Sequence, residues 1–339
     1  MLRLEVCLLW PVACLCYGLC LQQEEIQKIG LDFFIGVDAF SLLLINLMSL
    51  LSFLSILYLD CRTTSGFKQI IFLLLVLQTL VNASFAALNL LLFYIYFELA
   101  LVPMYFIIGI WGGEDRIYAS YKFFLYTLFG SLLFLACIIW LFVHTSTLSI
   151  PELYTKGLLI DYASQKLLWW AIFIAFAIKI PMLPFHTWLP SAHVQAPTVG
   201  SAILAGALLK LGAYGFLRIL LPIFPQATLQ FAKYAIYLSS AAIIYSSVVA
   251  FAQKDIKKMI AYSSIAHMGY VTAGIFSLSN VGMQGAIFQM FSHGIISAAL
   301  FFSVGIIYEQ FHTKQINALG GIADKLPFLA LVFMIFTLA

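Results

Sequence analysis

Charge is what this sequence has least of. Seventeen Lys and Arg with fourteen Asp and Glu make 9% of 339 residues, against 63% hydrophobic. So few charges cannot cover the exterior of a water-soluble protein of this length, which leaves a membrane protein. Strict alternation of apolar and polar positions is also missing. The apolar runs are continuous and about 20 residues long, so helices rather than a β-barrel are expected. A net charge of +3 with no basic patch gives no reason to expect nucleic acid as a partner. No G-x-G-x-x-G stretch, C-x-x-C loop or cysteine cluster is present, so no redox cofactor is expected on this chain. Cys7, Cys14, Cys16 and Cys20 share one apolar run, and Cys61 and Cys137 stand alone. They read as small apolar helix residues. No soluble domain or flexible linker interrupts the chain.

What is there is a series of apolar runs between polar breaks. The first, 2–21, reads as a retained helix rather than a signal peptide: its basic region is one arginine, Glu5 lies inside it, and no small-residue cleavage site follows. Further helices are predicted near 38–59, 68–87, 89–111 and 119–143. An irregular or amphipathic stretch follows at 144–166. An interrupted helix is expected at 167–190, then helices at 196–222, 231–251, 256–278 and 281–309, and a partial apolar stretch from Leu326 to Ala339. The expectation is an all-α polytopic membrane protein, 1–339 being one membrane domain with about ten full spans and a shorter last one. Arg218 with Lys233, and Lys254 with Lys257 and Lys258, are read as loop charges on opposite sides.

Ionisable groups deep in a membrane are costly and mark function. Glu98 lies nine residues after Asn89, roughly 13 Å from the nearer end of its run. Lys179 lies about a dozen residues into its predicted helix, and Lys210 sits within GALLKLGAYG. Both lysines are too deep to snorkel to the headgroups. His267 and His293 are central in their helices, whereas His186 and His193 flank a break and have a structural or a solvated reading. Pro181 and Pro184 remove backbone donors just after Lys179. A broken membrane helix survives only where protein or trapped water satisfies the freed carbonyls, and such breaks gather at ion sites. Glu98, Lys179, Lys210, His267 and His293 together make a chain of protonatable stations. With no redox group of its own, the chain is expected to move ions and to be powered from elsewhere.

YFELALVPMYFIIGIWGG (96–113), KIPMLPFHTWLPSAHVQAPT (179–198), ILAGALLKLGAYG (203–215) and QKDIKKMIAYSSIAHMGY (253–270) resemble the antiporter-like subunit 4 family of proton-pumping NADH:ubiquinone oxidoreductase, respiratory complex I. The resemblance runs from about residue 36 to the end. It implies two inverted five-helix repeats with broken helices, the first within 36–223 and an incomplete second in 231–339. It implies that Glu98 pairs with Lys179 and tunes its protonation, that Lys179 is the central proton-binding lysine, and that Lys210, His267 and His293 carry the proton onward. NADH, flavin, iron–sulfur clusters and ubiquinone would belong to partner subunits. The partners implied are other membrane-arm subunits, neighbouring antiporter-like subunits and lipid. Ser191 stands where the family shows Asp, the N-terminal side reads one helix short, and the chain stops inside what resembles the twelfth helix. The last point leads to the expectation that a separate polypeptide completes the path or that the sequence is truncated. The expected location is the mitochondrial inner membrane, with a bacterial plasma membrane as the alternative. Two other functions fit the same residues: a subunit of a sodium/proton antiporter or membrane hydrogenase complex, and a structural subunit that moves no ions.

Overall fold

A computed structural model of the chain describes residues 34–60 and 66–339. The predicted helix 2–21 and the cysteines 7, 14, 16, 20 and 61 lie outside the described residues. Apolar residues dominate on every face of each long helix, as expected of spans whose backbone must satisfy itself in lipid. The helices are α1 (Ala39–Asp60), α2 (Phe67–Ala86), α3 (Leu90–Trp111), α4 (Arg116–Thr145), α5 (Ile150–Lys156), α6 (Tyr162–Lys179), α7 (Trp188–Gln195), α8 (Thr198–Ile223), α9 (Pro225–Phe251), α10 (Ile256–Phe276), α11 (Asn280–Phe311) and α12 (Pro327–Leu338). Seven of them, α1 to α4, α8, α9 and α11, are long and apolar enough to cross a membrane. The described residues form no strand, only three isolated bridges that tie loops at the helix ends.

Those bridges fix which ends lie together. Ile35 pairs with Ala87 and Asn89 with Ser149 at one end, while Asp255 pairs with Gln315 at the other. Gly113 N–H donates to Gln195 O at 2.8 Å, which brings the α3–α4 turn beside the end of α7. Asn89 caps α3 by accepting from the N–H groups of Leu91 and Leu92 at 2.9 and 3.2 Å. Pro103 has no N–H to offer one turn back, and the regular helix is interrupted at Ala100, two residues after Glu98.

Three sequence boundaries are corrected. The stretch 144–166 is mostly ordered: α4 runs to Thr145, α5 occupies Ile150–Lys156, and Asp161 caps α6, its Oδ2 accepting from Ser164 N–H at 3.0 Å. That cap starts the interrupted helix at 162 rather than 167. The first half then ends at Lys179, directly before the break, where the position of Pro181 places it. Arg218 is no loop charge either. It lies in the last turns of α8 and pairs with Asp38, which also accepts from Ser41 N–H at the start of α1.

Candidate functional site

The site grows out of the break between α6 and α7. Pro181 and Pro184 end the regular ladder, and the carbonyls left over find other donors. Met182 N–H reaches Ala177 O at 2.8 Å, and the indole Nε1 of Trp188 donates to Ile178 O at 2.9 Å. Trp188 is buried, so the first turn of the second half-helix repairs the last turn of the first. This is what a broken helix requires inside a membrane.

Lys179 is left at the tip of the first half. Its ammonium is buried and has no hydrogen-bond partner, and it lies 4.4 Å from the ring centroid of Phe97. A desolvated cation over an aromatic face gains on the order of 2 kcal/mol, too little to offset full burial of the charge. Glu98, the next residue along α3, is close enough for its charge to act on Lys179 and also interacts with the Ser131 hydroxyl of α4. No hydrogen bond or ion contact within 4 Å joins the two, and Glu98 Oε1 is buried without a partner. The expected Glu98–Lys179 pair is therefore a through-space pair around the Phe97 ring, not a contact pair.

Lys210 has a different environment. Two π-helical segments of α8, Leu204–Leu208 and Phe216–Leu220, flank the turns that carry it. A π segment leaves carbonyls out of the regular ladder and is common at functional sites. The Lys210 ammonium donates to one of them, Ala205 O. Its second contact is His293 of α11, with Nζ and Nδ1 2.9 Å apart. Both residues are fully buried. Close helix approach makes the contact possible. A Cβ on Gly294 would stand 3.0 Å from Gly206 O and 2.6 Å from the Leu47 side chain. Beyond His293 comes His267 of α10, with ring centroids 5.6 Å apart, and Gln289 Nε2 holds His267 Nδ1 at 3.0 Å.

The structure thus places the five sequence-predicted residues in two groups: Glu98 with Lys179, and Lys210 with His293 and His267. Two further residues join the second group. His193, on α7, is fully buried, stacks on Phe301 at 4.6 Å and 15°, and has no hydrogen-bond partner at either ring nitrogen. Lys257, read as a loop charge, is instead buried in the first turn of α10 and donates to Ala196 O. AHVQAPT and DIKK were both visible in the sequence, but only the fold brings them together. Among the described residues no cluster of three or more His, Cys, Asp or Glu could hold a metal ion.

Bundled apolar helices, one of them broken beside a buried lysine, define a polytopic helical membrane protein with a broken helix. The chain belongs to the NADH:quinone oxidoreductase/Mrp antiporter transmembrane family, whose model matches residues 87–339. It is 56% identical over 310 residues to NADH-quinone oxidoreductase subunit M of Rickettsia prowazekii, covering 91% of this chain and 63% of that protein. It is 47% identical over 311 residues to NADH-ubiquinone oxidoreductase chain 4 of Prototheca wickerhamii, covering 91% of this chain and 59% of that one. A chain in the structure of respiratory complex I from Thermus thermophilus with bound NADH superposes with a TM-score of 0.87 at 29% identity, covering 97% of this chain and 71% of that chain. The chain therefore spans somewhat under two thirds of the length of these two curated relatives.

Proposed function

We propose that this chain is a proton-translocating membrane-arm subunit of an NADH:ubiquinone oxidoreductase. The observation that carries the reading is the buried Lys210–His293 contact at 2.9 Å. A lysine ammonium there can pass a proton to the Nδ1 of a neutral imidazole, and the ring can release one from Nε2, which is buried and unpartnered. His267 is the next titratable ring. Lys179 and Glu98 form the other half of the relay, an ammonium and a carboxylate that influence each other across Phe97. Loading or unloading either group changes how well the other tolerates burial.

The names of the relatives support an NADH-driven machine, and on this reading NADH, flavin, iron–sulfur clusters and ubiquinone belong to partner subunits. On this reading the break at Lys179 belongs to the first of two inverted repeats, within 36–223, and 231–339 belongs to the second. The neighbours are other membrane-arm and antiporter-like subunits and lipid, and the membrane is the mitochondrial inner membrane or, alternatively, a bacterial plasma membrane.

The test is Lys179→Met in the assembled complex, reconstituted in vesicles. NADH-driven proton uptake is expected to fall while the amount of assembled complex stays at the wild-type level. Unchanged proton uptake per NADH would leave only a structural role. Sodium-dependent transport without NADH oxidation would favour an antiporter complex.

A further inference from the structure

The outward face of α4 carries a charge that no described residue neutralises. Lys122 lies six residues after Arg116, where α4 begins, and so about 9 Å along the span. Tyr118, Leu125, Phe129 and Leu132 stand on the same face at helical spacing, with Tyr121 beside them, and each is more than half exposed. Such an apolar face suits lipid tails as well as another helix. The lysine does not suit lipid tails, because a cation inside the apolar layer is costly without a partner. The half-buried Lys122 donates to Ser191 Oγ of α7 at 3.2 Å, and its ammonium lies 5.6 Å from the Tyr118 ring centroid. Ser191 Oγ itself donates to Thr187 O at 3.4 Å, so it meets the ammonium as a neutral acceptor. Ser191 is four residues short of Gln195, the last residue of α7, which holds the ammonium below the headgroups rather than among them. Among the described residues the Lys and Arg ion pairs are Lys156 with Glu152 and Arg218 with Asp38, and no carboxylate lies within 4 Å of Lys122. An ammonium has three N–H donors, and the described residues take one of them.

We propose that this face of α4 packs against a transmembrane helix of a neighbouring subunit, and that this helix supplies an Asp or Glu to Lys122. The proposal rests on the membrane-arm reading given above. Charge complementarity selects the occupant. A carboxylate on a facing helix takes the two remaining N–H groups and neutralises the ammonium, and such a charge-assisted contact is strong where water is scarce. Ser191 then has a positioning role: it holds the ammonium against α7, at the depth where the partner meets it. Tyr118 and Tyr121 flank the lysine with the large, amphipathic side chains that anchor interfaces and exclude water from a central pair. A phospholipid phosphate would meet the ammonium at headgroup level, above the place where Ser191 holds it.

The test uses the whole complex in mild detergent. Detergent is raised stepwise, and the subcomplexes are separated on native gels and identified by mass spectrometry. Lys122→Met keeps an apolar stem and loses the charge. It is expected to raise the ratio of complex that has lost a neighbouring membrane subunit to intact complex by about thirtyfold or more, the lower end of what truncating one member of a buried charge pair costs. Lys122→Arg is expected to restore the wild-type ratio. Ser191→Ala removes only the acceptor within this chain and is expected to keep the neighbour. In the wild type, a membrane-permeant carbodiimide is expected to join Lys122 to an Asp or Glu of another chain, as an amide formed with loss of water. A wild-type ratio in Lys122→Met overturns the proposal, and a simultaneous fall in co-purified anionic phospholipid would assign the lysine to a lipid headgroup instead. Equal release of the neighbour by Ser191→Ala also overturns it, because the contact within the chain would then suffice. If Lys122→Met does not accumulate, the carbodiimide decides: a link from Lys122 to another chain supports the pair, and a link between Lys156 and Glu152 with Lys122 left free removes it. Recovery of this chain in no NADH-oxidising band would instead remove the membrane-arm reading, whatever Lys122 is joined to.

Discussion

Lys210 and His293 are 83 residues apart in the chain, yet their Nζ and Nδ1 atoms are 2.9 Å apart in the fully buried centre of the bundle. Two features of helix geometry produce the contact. The π segment at Leu204–Leu208 offers the Ala205 carbonyl to the lysine, and the glycines at 206 and 294 let α8 and α11 approach backbone to backbone. Lysine is thereby held by one carbonyl and one imidazole, with no carboxylate in contact.

Replacing His293 separates proton transfer from packing. His293→Gln retains an acceptor for Lys210 and is expected to assemble normally with proton uptake strongly reduced. His293→Leu leaves the ammonium with Ala205 alone and is expected to cost a further 1–3 kcal/mol, roughly, in stability. Native-gel band intensity and the melting temperature of the purified complex read the difference between the two variants.

Gly294→Ala should push α11 away from α8, because the new methyl would meet Gly206 O, a backbone atom, at 3.0 Å. Overpacking of this kind costs about 1–3 kcal/mol. A lowered melting temperature with a matching loss of pumping is expected. Full pumping at unchanged stability would show that the close approach does not position Lys210 and His293.

Trp188→Phe keeps the ring beside Phe123, with centroids now 5.5 Å apart, but removes the donor to Ile178 O. The carbonyl next to Lys179 is then buried without its partner, at a cost of about 1–3 kcal/mol. Faster backbone amide exchange is expected at 180–182, measured by mass spectrometry, with exchange in α9 unchanged.

At the membrane surface, Asp161 caps α6, and the hydrogen bond from Ser164 N–H holds its carboxyl below the usual carboxylate range. A lowered folded value means the cap contributes fully above the ordinary carboxylate pKa of about 3.9 and is lost as pH falls through the lower folded value. Asp161→Ala should speed amide exchange at the start of α6 near neutral pH, and the difference from wild type should shrink in acid. Asp161→Asn, which caps as well, should behave as wild type at neutral pH.

Much of this site is legible in the chain, and the illegible part has a physical cause. Pro181 and Pro184 announce the break, and Glu98, Lys179, Lys210, His267 and His293 stand out because apolar surroundings make any ionisable residue conspicuous. Local signals place them on helices but do not pair them. The Lys210–His293 contact depends on a glycine crossing between helices far apart in sequence. Lys257 beside Lys258 reads as a solvated loop charge because only the carbonyls at the end of α7, more than 60 residues earlier, make its burial tolerable. The start of α6 is set by capping: Asp161 precedes an amphipathic turn, which conceals its capping role in the sequence.

The most direct measurement is the number of protons moved per NADH oxidised by the reconstituted complex carrying Lys210→Met, at the wild-type content of assembled complex. If protons cross this chain through the Lys210–His293 pair, the ratio falls below that of the wild type. A ratio equal to the wild type, with NADH oxidation undiminished, would contradict a proton path through this pair.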